Sequence, residues 1–213
     1  MQTIALIDYG AGNLRSVERA LEAGARAAQT QSRVVMTDDP DIIRAADRVV
    51  LPGQGAFNDC MSGLEARTGV IAALEENVRQ RGAPFLGICV GFQLLADKGL
   101  EHGERKGLGW LGGLCRKIET GPAERVPHMG WNEAIVTRPH PVLAPLAPQR
   151  HVYFCHSFVL APPESTVLAQ SAHGERFCCA AGEGNIVGVQ FHPEKSQDAG
   201  LALLSAFADW KPQ

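Results

Sequence analysis

Residues 84–95 have the sequence Pro-Phe-Leu-Gly-Ile-Cys-Val-Gly-Phe-Gln-Leu-Leu, and this stretch decides the fold. A short apolar run meets the pattern Gly-x-Cys-x-Gly at Cys89 and then takes the apolar spacing of a helix. A strand that ends at a nucleophile between two glycines and continues into a helix is the pattern of a nucleophile elbow. We therefore predict that Cys89 lies at a tight turn, with its thiol facing a site at the top of a sheet.

Two glycines favour this interpretation over the commoner one, in which a free cysteine is a small core residue. Gly87 and Gly91 have no Cβ, so a strand and a helix can approach each other closely on either side of Cys89. The N-terminus of the following helix would stabilise a thiolate at this turn. We expect Cys89 to be a nucleophile.

Length and composition limit the other possibilities. The chain has 213 residues, which suits a single domain over residues 1–213 with its own core. Charged residues make up 20% of the chain and the net charge is -3, so we expect no nucleic-acid partner. No stretch approaches the ~18 apolar residues of a membrane span, and no basic leader precedes the first strand, so we expect a cytoplasmic protein without a membrane partner. The six cysteines lack a Cys-x-x-Cys spacing, and we expect no metal and no cofactor.

Strands alternate with helices in the N-terminal half. Apolar runs predict strands over residues 3–8, 34–37, 48–51 and 84–89. Helical spacing predicts one helix capped by Asn13, one over residues 41–46, and one along Val70, Leu74 and Val78 that ends near Gly82. This alternation predicts an α/β fold with a mainly parallel central sheet and helices on both faces. Ligands bind such sheets at the carboxyl ends of the strands, where Cys89 is expected.

The C-terminal half has shorter, alternating segments that predict added antiparallel strands. They form a second small sheet or extend the first, and they cover residues 108–114, 116–119, 132–137, 151–159, 167–170, 177–181 and 186–191. A last helix is expected to pack Leu203, Leu204, Phe207 and Trp210 inward.

A glycine-rich loop follows the strand predicted over residues 48–51. Residues 52–57 are Pro-Gly-Gln-Gly-Ala-Phe, and such a loop can aim backbone N–H groups into a site. Acyl transfer at a thiolate needs donors within ~3 Å of the developing oxyanion. The loop is therefore either an oxyanion loop or a plain turn between a strand and a helix.

Residues 188–196, Gly-Val-Gln-Phe-His-Pro-Glu-Lys-Ser, supply the remaining chemical groups. Positions i and i+2 of an extended segment point the same way, and Pro193 favours an extended backbone at His192. Glu194 can therefore orient and charge-stabilise the imidazole of His192. A Cys nucleophile, a His base and a carboxylate form a catalytic triad by role, provided that the fold brings His192 to Cys89.

These motifs together resemble a known family. Residues 87–95 and 188–194 resemble the class I, or triad, glutamine amidotransferases. Residues 8–13, 52–57, 126–132 and 153–158 resemble, more narrowly, the glutaminase subunits of imidazole glycerol phosphate synthase, an enzyme of histidine biosynthesis. The resemblance runs from residue 3 to about 210, and Pro-His-Met-Gly-Trp-Asn at 127–132 is its strongest pointer. It implies a flavodoxin-like, three-layer fold.

The resemblance implies hydrolysis of L-glutamine to glutamate and ammonia through a thioester on Cys89, with His192 as the base and Glu194 holding His192. Other positions match the oxyanion loop and its neighbour after the nucleophile: Gly53, Gln54, Gly55 and Val90. Many family members carry Val in place of Gln54. The positions that match the pocket for the amino-acid head group are Gln93, Glu101, His156, Ser157 and Phe158.

The resemblance also implies a partner, because ammonia released into neutral water becomes ammonium, which is a poor nucleophile. The partner in the family is a cyclase subunit, which folds as a (β/α)8 barrel and forms a heterodimer with the glutaminase. Trp131, Tyr153 and Lys195 match positions at the docking face and the tunnel mouth. The family's glutaminase is nearly silent until the cyclase binds its ligand.

Three other interpretations differ in what the chain would do. It could be the glutaminase subunit of another synthase, for anthranilate, aminodeoxychorismate or pyridoxal phosphate, although residues 128–132 argue against this. It could be a stand-alone Cys hydrolase of γ-glutamyl peptides, which would turn over substrate without a partner. It could also be a non-catalytic module, which the intact set of Cys89, His192 and Glu194 disfavours.

Overall fold

The computed structural model describes residues 1–122 and 124–212, so Ala123 and Gln213, which fall inside the domain predicted over residues 1–213, lie outside the described residues. The N-terminal half alternates strands and helices as predicted. In chain order the elements are β1 (Gln2–Ile7), α1 (Leu14–Ala27), β2 (Ser32–Thr37), α2 (Pro40–Ala45), β3 (Arg48–Leu51), α3 (Phe57–Ala66), α4 (Val70–Leu74), a π-helix (Glu75–Gln80), β4 (Phe85–Ile88) and α5 (Val90–Gln93).

The C-terminal half consists mainly of strands. They are β5 (Lys98–Gly99), β6 (Arg105–Lys106), β7 (Leu114–Lys117), β8 (His128–Val136), β9 (Gln149–His156), β10 (Phe158–Ala161), β11 (Val167–His173), β12 (Glu175–Glu183) and β13 (Ile186–Val189). Short 3-10 helices cover Pro141–Leu146, Glu164–Thr166 and Pro193–Lys195, and the last helix is α6 (Gln197–Asp209). None of the helices within the described ranges is long and apolar enough to cross a lipid bilayer.

The strands form one large mixed sheet and one small sheet. In the part of the chain that the structure describes, the large sheet has nine strands in the order β2-β1-β3-β4-β13-β12-β11-β8-β9. The strands β2, β1, β3, β4 and β13 run parallel to one another, whereas each pair of neighbours from β13 to β9 is antiparallel. The small sheet has the order β10-β7-β5-β6. The predicted α/β fold, with a parallel core and added antiparallel strands, is confirmed.

Helices cover both faces of the parallel region. The connections β1-α1-β2 and β2-α2-β3 run in opposite directions across the sheet, so right-handed crossovers place α1 and α2 on opposite faces. Contacts agree with this arrangement, because α1 packs against α6 while α2 packs against α4. Both central strands, β4 and β13, are buried at every residue, which explains their unbroken apolar sequences.

Local sequence signals account for the helix starts in the first half. The side chain of Asn13 accepts a hydrogen bond from the backbone N–H of Ser16 at the start of α1, as predicted. Asp39 does the same for Asp41 at the start of α2, where Pro40 occupies the first turn. The predicted inward side chains of the last helix, Leu203, Leu204, Phe207 and Trp210, are all buried.

The strand predicted over residues 108–114 is wrong. This segment is a loop, because Gly109, Gly112 and Gly113 all have positive φ, from 69° to 79°. Its backbone N–H groups at Leu108 and Leu111 instead satisfy carbonyls at the end of α5. Helix α5 ends after one turn, at Gln93, so the helix that follows the elbow is shorter than its apolar spacing suggests.

Other boundaries also differ from the predictions. The segment 151–159 is two strands separated at Ser157, because β9 pairs with β8 in the large sheet and β10 pairs with β7 in the small one. Helix α3 was not predicted. The segment 186–191 is antiparallel only to β12 and pairs in parallel with β4. The helix along residues 70–82 changes from α to π where the buried side chain of Asn77 donates hydrogen bonds to the carbonyls of Arg44 and Ala46 at the end of α2.

We predict that Gly91→Ala destabilises the protein strongly. A Cβ on Gly91 would lie 2.0 Å from the carbonyl oxygen of Leu51 at the end of β3, so α5 would have to move away from the sheet. We expect the free energy of unfolding to fall by about 2–4 kcal/mol, as measured by urea denaturation. The control is Gly121→Ala, where the Cβ would meet, among the described residues, only the end of the flexible Glu124 side chain. Equal losses in the two variants would contradict the prediction.

Candidate active site

Cys89 lies where β4 ends and α5 begins, in a strained backbone conformation. Its φ and ψ are 55° and -110°, a combination that a residue with a side chain rarely adopts. The backbone N–H of Cys89 donates to the carbonyl of Val189 at 2.8 Å, which ties the turn to β13. The predicted elbow is therefore present, and the strain is held by the packed strands on either side.

The loop over residues 52–55 packs directly on the elbow. A Cβ on Gly53 would lie 2.4 Å from the backbone nitrogen of Gly91, so only glycine permits this approach. Two side chains anchor loop carbonyls: the hydroxyl of Tyr9 donates to Pro52 at 2.6 Å, and the thiol of Cys60 lies 3.5 Å from the carbonyl oxygen of Gln54. The loop is thus held beside Cys89, where an oxyanion loop is needed.

His192 and Glu194 form a buried pair next to Cys89. The Nδ1 atom of His192 lies 2.8 Å from Oε1 of Glu194, and their side chains are only 7% and 4% exposed. This is the contact that the His-x-Glu spacing predicts. Because Nδ1 faces the carboxylate, Nε2 is the ring nitrogen left to exchange a proton with the substrate or the thiol.

The charge state of His192 suits a nucleophilic site. Burial alone would lower the pKa of His192, but the interaction with Cys89 and the hydrogen bond to Glu194 outweigh burial and raise the pKa from 6.5 to about 10. A proton on His192 at neutral pH places a positive charge beside the sulfur of Cys89, where it stabilises negative charge that develops on the sulfur or the substrate during the reaction. The pair is the arrangement that activates a Cys nucleophile.

Backbone and hydroxyl contacts brace the turn that carries His192. The N–H of His192 donates to the carbonyl of Tyr153 at 2.9 Å. The hydroxyl of Ser196 donates to the carbonyl of His192 at 2.6 Å and accepts the N–H of Tyr153 at 3.0 Å. A Cβ on Gly200 would lie 1.9 Å from the carbonyl oxygen of Pro193, so α6 needs a glycine there to pack against the turn. The sequence pattern did not reveal Ser196 or Gly200.

A cavity of about 210 Å³ opens in front of Cys89. It brings together most of the residues predicted for catalysis, the oxyanion loop and the head-group pocket: Cys89, His192, Gln54, Gly55, Val90, Gln93, Glu101, His156, Ser157 and Phe158. Two predicted residues do not line the cavity: Glu194, which contacts Nδ1 of His192, and Gly53, which packs against the backbone of Gly91. Pro127, Cys155 and Lys195 line the same cavity.

The wall of the cavity opposite the loop is built from Gln93 and the junction of β9 and β10. The amide nitrogen of Gln93 donates to the carbonyl of Phe158 at 2.8 Å and to Oε1 of Gln190 at 3.1 Å. The nitrogen of Gln190 in turn lies 3.8 Å from the sulfur of Cys89. Gln190, which directly follows β13, is fully buried and was not predicted, although a lone polar residue inside the apolar run 186–191 indicates a buried side chain with a hydrogen-bond partner.

Glu101 joins the cavity to the start of α3. Its Oε2 atom accepts the backbone N–H of Phe57 at 2.8 Å, so the carboxylate caps that helix while facing the cavity. The two residues are 44 positions apart in the sequence, so this contact could not be predicted from local spacing.

The residues predicted for a partner interface lie on a neighbouring surface. Trp131 packs edge-to-face on Tyr153, with ring centroids 6.1 Å apart, and Nζ of Lys195 lies 5.9 Å from the centre of the Tyr153 ring. Met129, Trp131 and Ile135 lie on one face of β8 and are 61%, 47% and 39% exposed. We call these three side chains the apolar stripe. Such a stripe is typical of an interaction surface.

Two buried histidines line or support the cavity wall in their neutral form. Burial and the neighbouring His173 lower the pKa of His128 to about 4, and burial and the neighbouring His128 lower the pKa of His156 to about 3. Both histidines are therefore uncharged at neutral pH.

We predict that these two histidines make the fold sensitive to acid. In the unfolded chain they take up protons below their ordinary pKa of about 6.5, while in the folded chain they do not until pH 4 or below. The free energy of unfolding should therefore fall as the pH drops from about 6.5, by at most about 1.4 kcal/mol per pH unit for each histidine. Urea denaturation at several pH values between 7 and 4.5 measures this change in the free energy of unfolding.

His128→Asn removes one of the two groups and should give a shallower pH dependence. The matched control is His151→Asn, which replaces a histidine whose side chain is 65% exposed. Parallel curves for wild type and His128→Asn would contradict the account.

Comparisons with known proteins agree with this geometry. The sequence model of the family "Glutamine amidotransferase class-I" matches residues 5–209. Among the similar curated proteins is the "Imidazole glycerol phosphate synthase subunit HisH" of Caulobacter vibrioides, which is 51% identical over 100% of both chains. The protein of the same name from Zymomonas mobilis subsp. mobilis is 51% identical and covers 99% of this chain and 97% of its own length.

Solved structures share the fold at lower sequence identity. A putative GMP synthase protein from Thermoplasma acidophilum superimposes with a TM-score of 0.69 at 20% identity, over 98% of this chain and 92% of that one. A glutamine amidotransferase from Thermotoga maritima has a TM-score of 0.61 at 18% identity, over 91% and 76%. The chain therefore belongs to the class I glutamine amidotransferases and, within them, to the family of the imidazole glycerol phosphate synthase subunits HisH.

Proposed function

We propose that this chain is the glutaminase subunit of an imidazole glycerol phosphate synthase and that it hydrolyses L-glutamine at Cys89. The observation that carries the proposal is the strained Cys89 in one cavity with the buried pair of His192 and Glu194. Relatives up to 51% identical over the full chain bear the name of this subunit. The chemistry needs side chains and water, and no cofactor enters it.

In the first step, the sulfur of Cys89 attacks the side-chain amide carbon of glutamine. A C–S bond forms, the proton of the thiol is held by His192, and the electron pair of the C=O bond moves to the amide oxygen. Backbone N–H groups of the loop at Gly53, Gln54 and Gly55, and of Val90 after the nucleophile, are the donors for this oxyanion. One such donor is worth about 10²–10³ in rate, so the orientation of this loop controls the reaction.

In the second step, the intermediate collapses to a glutamyl thioester. The C–N bond breaks and His192 gives its proton to the leaving nitrogen, which departs as ammonia. Water then attacks the thioester, His192 accepts a proton from the water, and glutamate leaves as the C–S bond breaks. Glu194 holds the imidazole through Nδ1 and stabilises its charge in both halves of the reaction.

The remaining cavity residues suit the amino-acid end of the substrate. The carboxylate of Glu101 complements an ammonium group, and the amide of Gln93 and the backbone of residues 156–158 supply neutral hydrogen bonds. A free amino acid fits a cavity of about 210 Å³ better than a peptide would, which argues against a hydrolase of γ-glutamyl peptides.

We propose that the released ammonia passes to a cyclase subunit that folds as a (β/α)8 barrel and binds as a heterodimer. Direct transfer is needed because ammonia in neutral water is mostly protonated. The apolar stripe of β8, together with Tyr153 and Lys195, supports a docking face beside the cavity, since Lys195 borders both. Subunits of anthranilate, aminodeoxychorismate or pyridoxal phosphate synthases are less well supported, because the relatives at 43–51% identity carry the HisH name.

The proposal also covers the domain organisation and the cellular compartment. The cavity takes residues from both halves of the chain, which supports a single domain over residues 1–213. All six cysteines are free thiols, which suits the reducing cytoplasm.

The proposal predicts that Glu194→Gln lowers kcat for glutamine hydrolysis by about 10²–10⁴, because an amide cannot stabilise the charged imidazole. Glutamate release is measured with the chain in complex with a cyclase subunit that carries its ribonucleotide ligand, and Cys89→Ala is the blank. The matched control is Glu183→Gln, an exposed carboxylate at the end of β12 that should not affect kcat. Activity that survives Cys89→Ala would overturn the proposal.

The docking face predicts that Trp131→Ala weakens the complex with the cyclase by about 30-fold or more, since a half-buried Trp is a frequent hot spot. Isothermal titration calorimetry gives the dissociation constant. Ile42→Ala is the control, because Ile42 is an equally apolar residue, 36% exposed, on α2. Wild-type affinity in Trp131→Ala would contradict the proposed docking face. Full glutaminase activity of the chain alone would contradict its proposed dependence on the cyclase subunit.

A further inference from the structure

We propose that His128 is a positioning residue for the substrate wall: through His156 it fixes the carbonyl of Phe158 and the side chain of Gln93. The inference rests on the proposed glutaminase function. His128 itself does not line the cavity, and it acts through a chain of hydrogen bonds that starts on β8 and ends at Cys89.

The carbonyl of Phe158 determines which atom donates and which accepts in every hydrogen bond between it and Asn132. Nδ1 of His156 lies 3.1 Å from the carbonyl oxygen of Phe158, and a carbonyl can only accept, so this nitrogen carries the proton. Because His156 is neutral, its Nε2 must accept, and Nδ1 of His128 at 3.0 Å must donate to it. Nε2 of His128 then accepts from the amide nitrogen of Asn132 at 3.1 Å.

Both imidazoles are therefore fixed as the Nδ1–H tautomer. A single change of tautomer in either ring would leave two donors or two acceptors facing each other. Burial supports the same assignment: His128 is 4% exposed and His156 is 6% exposed, and the lowered pKa of each ring keeps it neutral. Water has little access to replace a lost partner.

The chain continues from the histidines to the nucleophile. The carbonyl of Phe158 accepts from His156 and also from Gln93, so it holds two donors in place. The amide nitrogen of Gln93 donates its second hydrogen bond to Oε1 of Gln190. The amide nitrogen of Gln190 lies 3.8 Å from the sulfur of Cys89. Without the donor on His128, His156 is free to move its proton to Nε2, and its Nδ1 lone pair would then face the Phe158 carbonyl and repel it.

Packing alone gives a different expectation for His128. Its ring stacks on Phe154 and His173 and meets Phe177 edge-to-face, with centroids 4.8, 4.2 and 5.7 Å away. A purely structural histidine would be replaceable by any side chain that fills the space. A positioning histidine is replaceable only by one that donates a hydrogen bond to His156.

The test compares two substitutions of nearly equal size, His128→Asn and His128→Leu. The amide nitrogen of Asn can replace Nδ1 as a donor to His156, whereas Leu cannot. Phe177→Leu is the control for packing, because it loosens the same cluster without removing a hydrogen bond. Glutamine kinetics are measured in the complex with a ligand-loaded cyclase subunit, and ¹⁵N NMR of histidine-labelled chain gives the tautomers.

We expect Nδ1–H tautomers for His128 and His156 in the wild type. We expect His128→Leu to raise KM for glutamine about 5-fold to 50-fold while kcat changes less than about 3-fold, because the group that it misplaces binds the substrate rather than the transition state. His128→Asn should keep the tautomer of His156 and a KM near that of the wild type. Phe177→Leu should leave KM unchanged.

The inference is overturned if His156 in the wild type is the Nε2–H tautomer, a result that needs no variant to fold. It is also overturned if Asn and Leu raise KM equally, or if Phe177→Leu raises KM as much as His128→Leu. A wild-type complex that hydrolyses no glutamine would instead overturn the proposed function, and the tautomers would still decide the hydrogen-bond chain.

Discussion

The close approach of α5 to the end of β3 is the constraint on which the rest of the site depends. The backbone of Gly91 lies so near Leu51 that even one methyl group would collide with it. This contact holds Cys89 in its strained conformation and presses the loop at Gly53 against the elbow. The hydrogen bond from Cys89 to β13 then brings the nucleophile beside the strand that leads to His192. One packing contact therefore assembles the nucleophile, the loop and the base.

The site separates charged and neutral groups by their surroundings. On one side of Cys89, His192 is held protonated against a buried carboxylate. On the other side, His128 and His156 are buried, no carboxylate of the described residues is a hydrogen-bond partner of either ring, and both are kept neutral. Of three histidines within one small region, one is thus charged and two are neutral, because burial and the identity of the nearest partner set each pKa. The charged side suits proton transfer, and the neutral side suits fixed hydrogen bonds to a substrate.

The sequence was sufficient where chemistry depends on local spacing. The elbow at Cys89, the contact of His192 with Glu194, the cap at Asn13 and the alternation of strands and helices all follow from patterns a few residues long. It was insufficient where contacts join distant segments. The bond from Glu101 to Phe57, the break at Ser157 between two sheets and the position of Gln190 depend on how the elements pack. The glycines after Leu108 misled the prediction, because apolar spacing alone does not show that three of them adopt positive φ.

The central claim is that Cys89, and not another thiol, is the nucleophile of the cavity. Cys155 lines the same cavity and provides a built-in comparison. The most direct measurement treats the active complex with an electrophilic glutamine analogue that modifies thiols covalently. Mass spectrometry of peptides then identifies the labelled cysteine. The account predicts a single label on Cys89, protection by L-glutamine, and loss of glutaminase activity in proportion to labelling. A label on Cys155, or full activity after Cys89 is labelled, would contradict it.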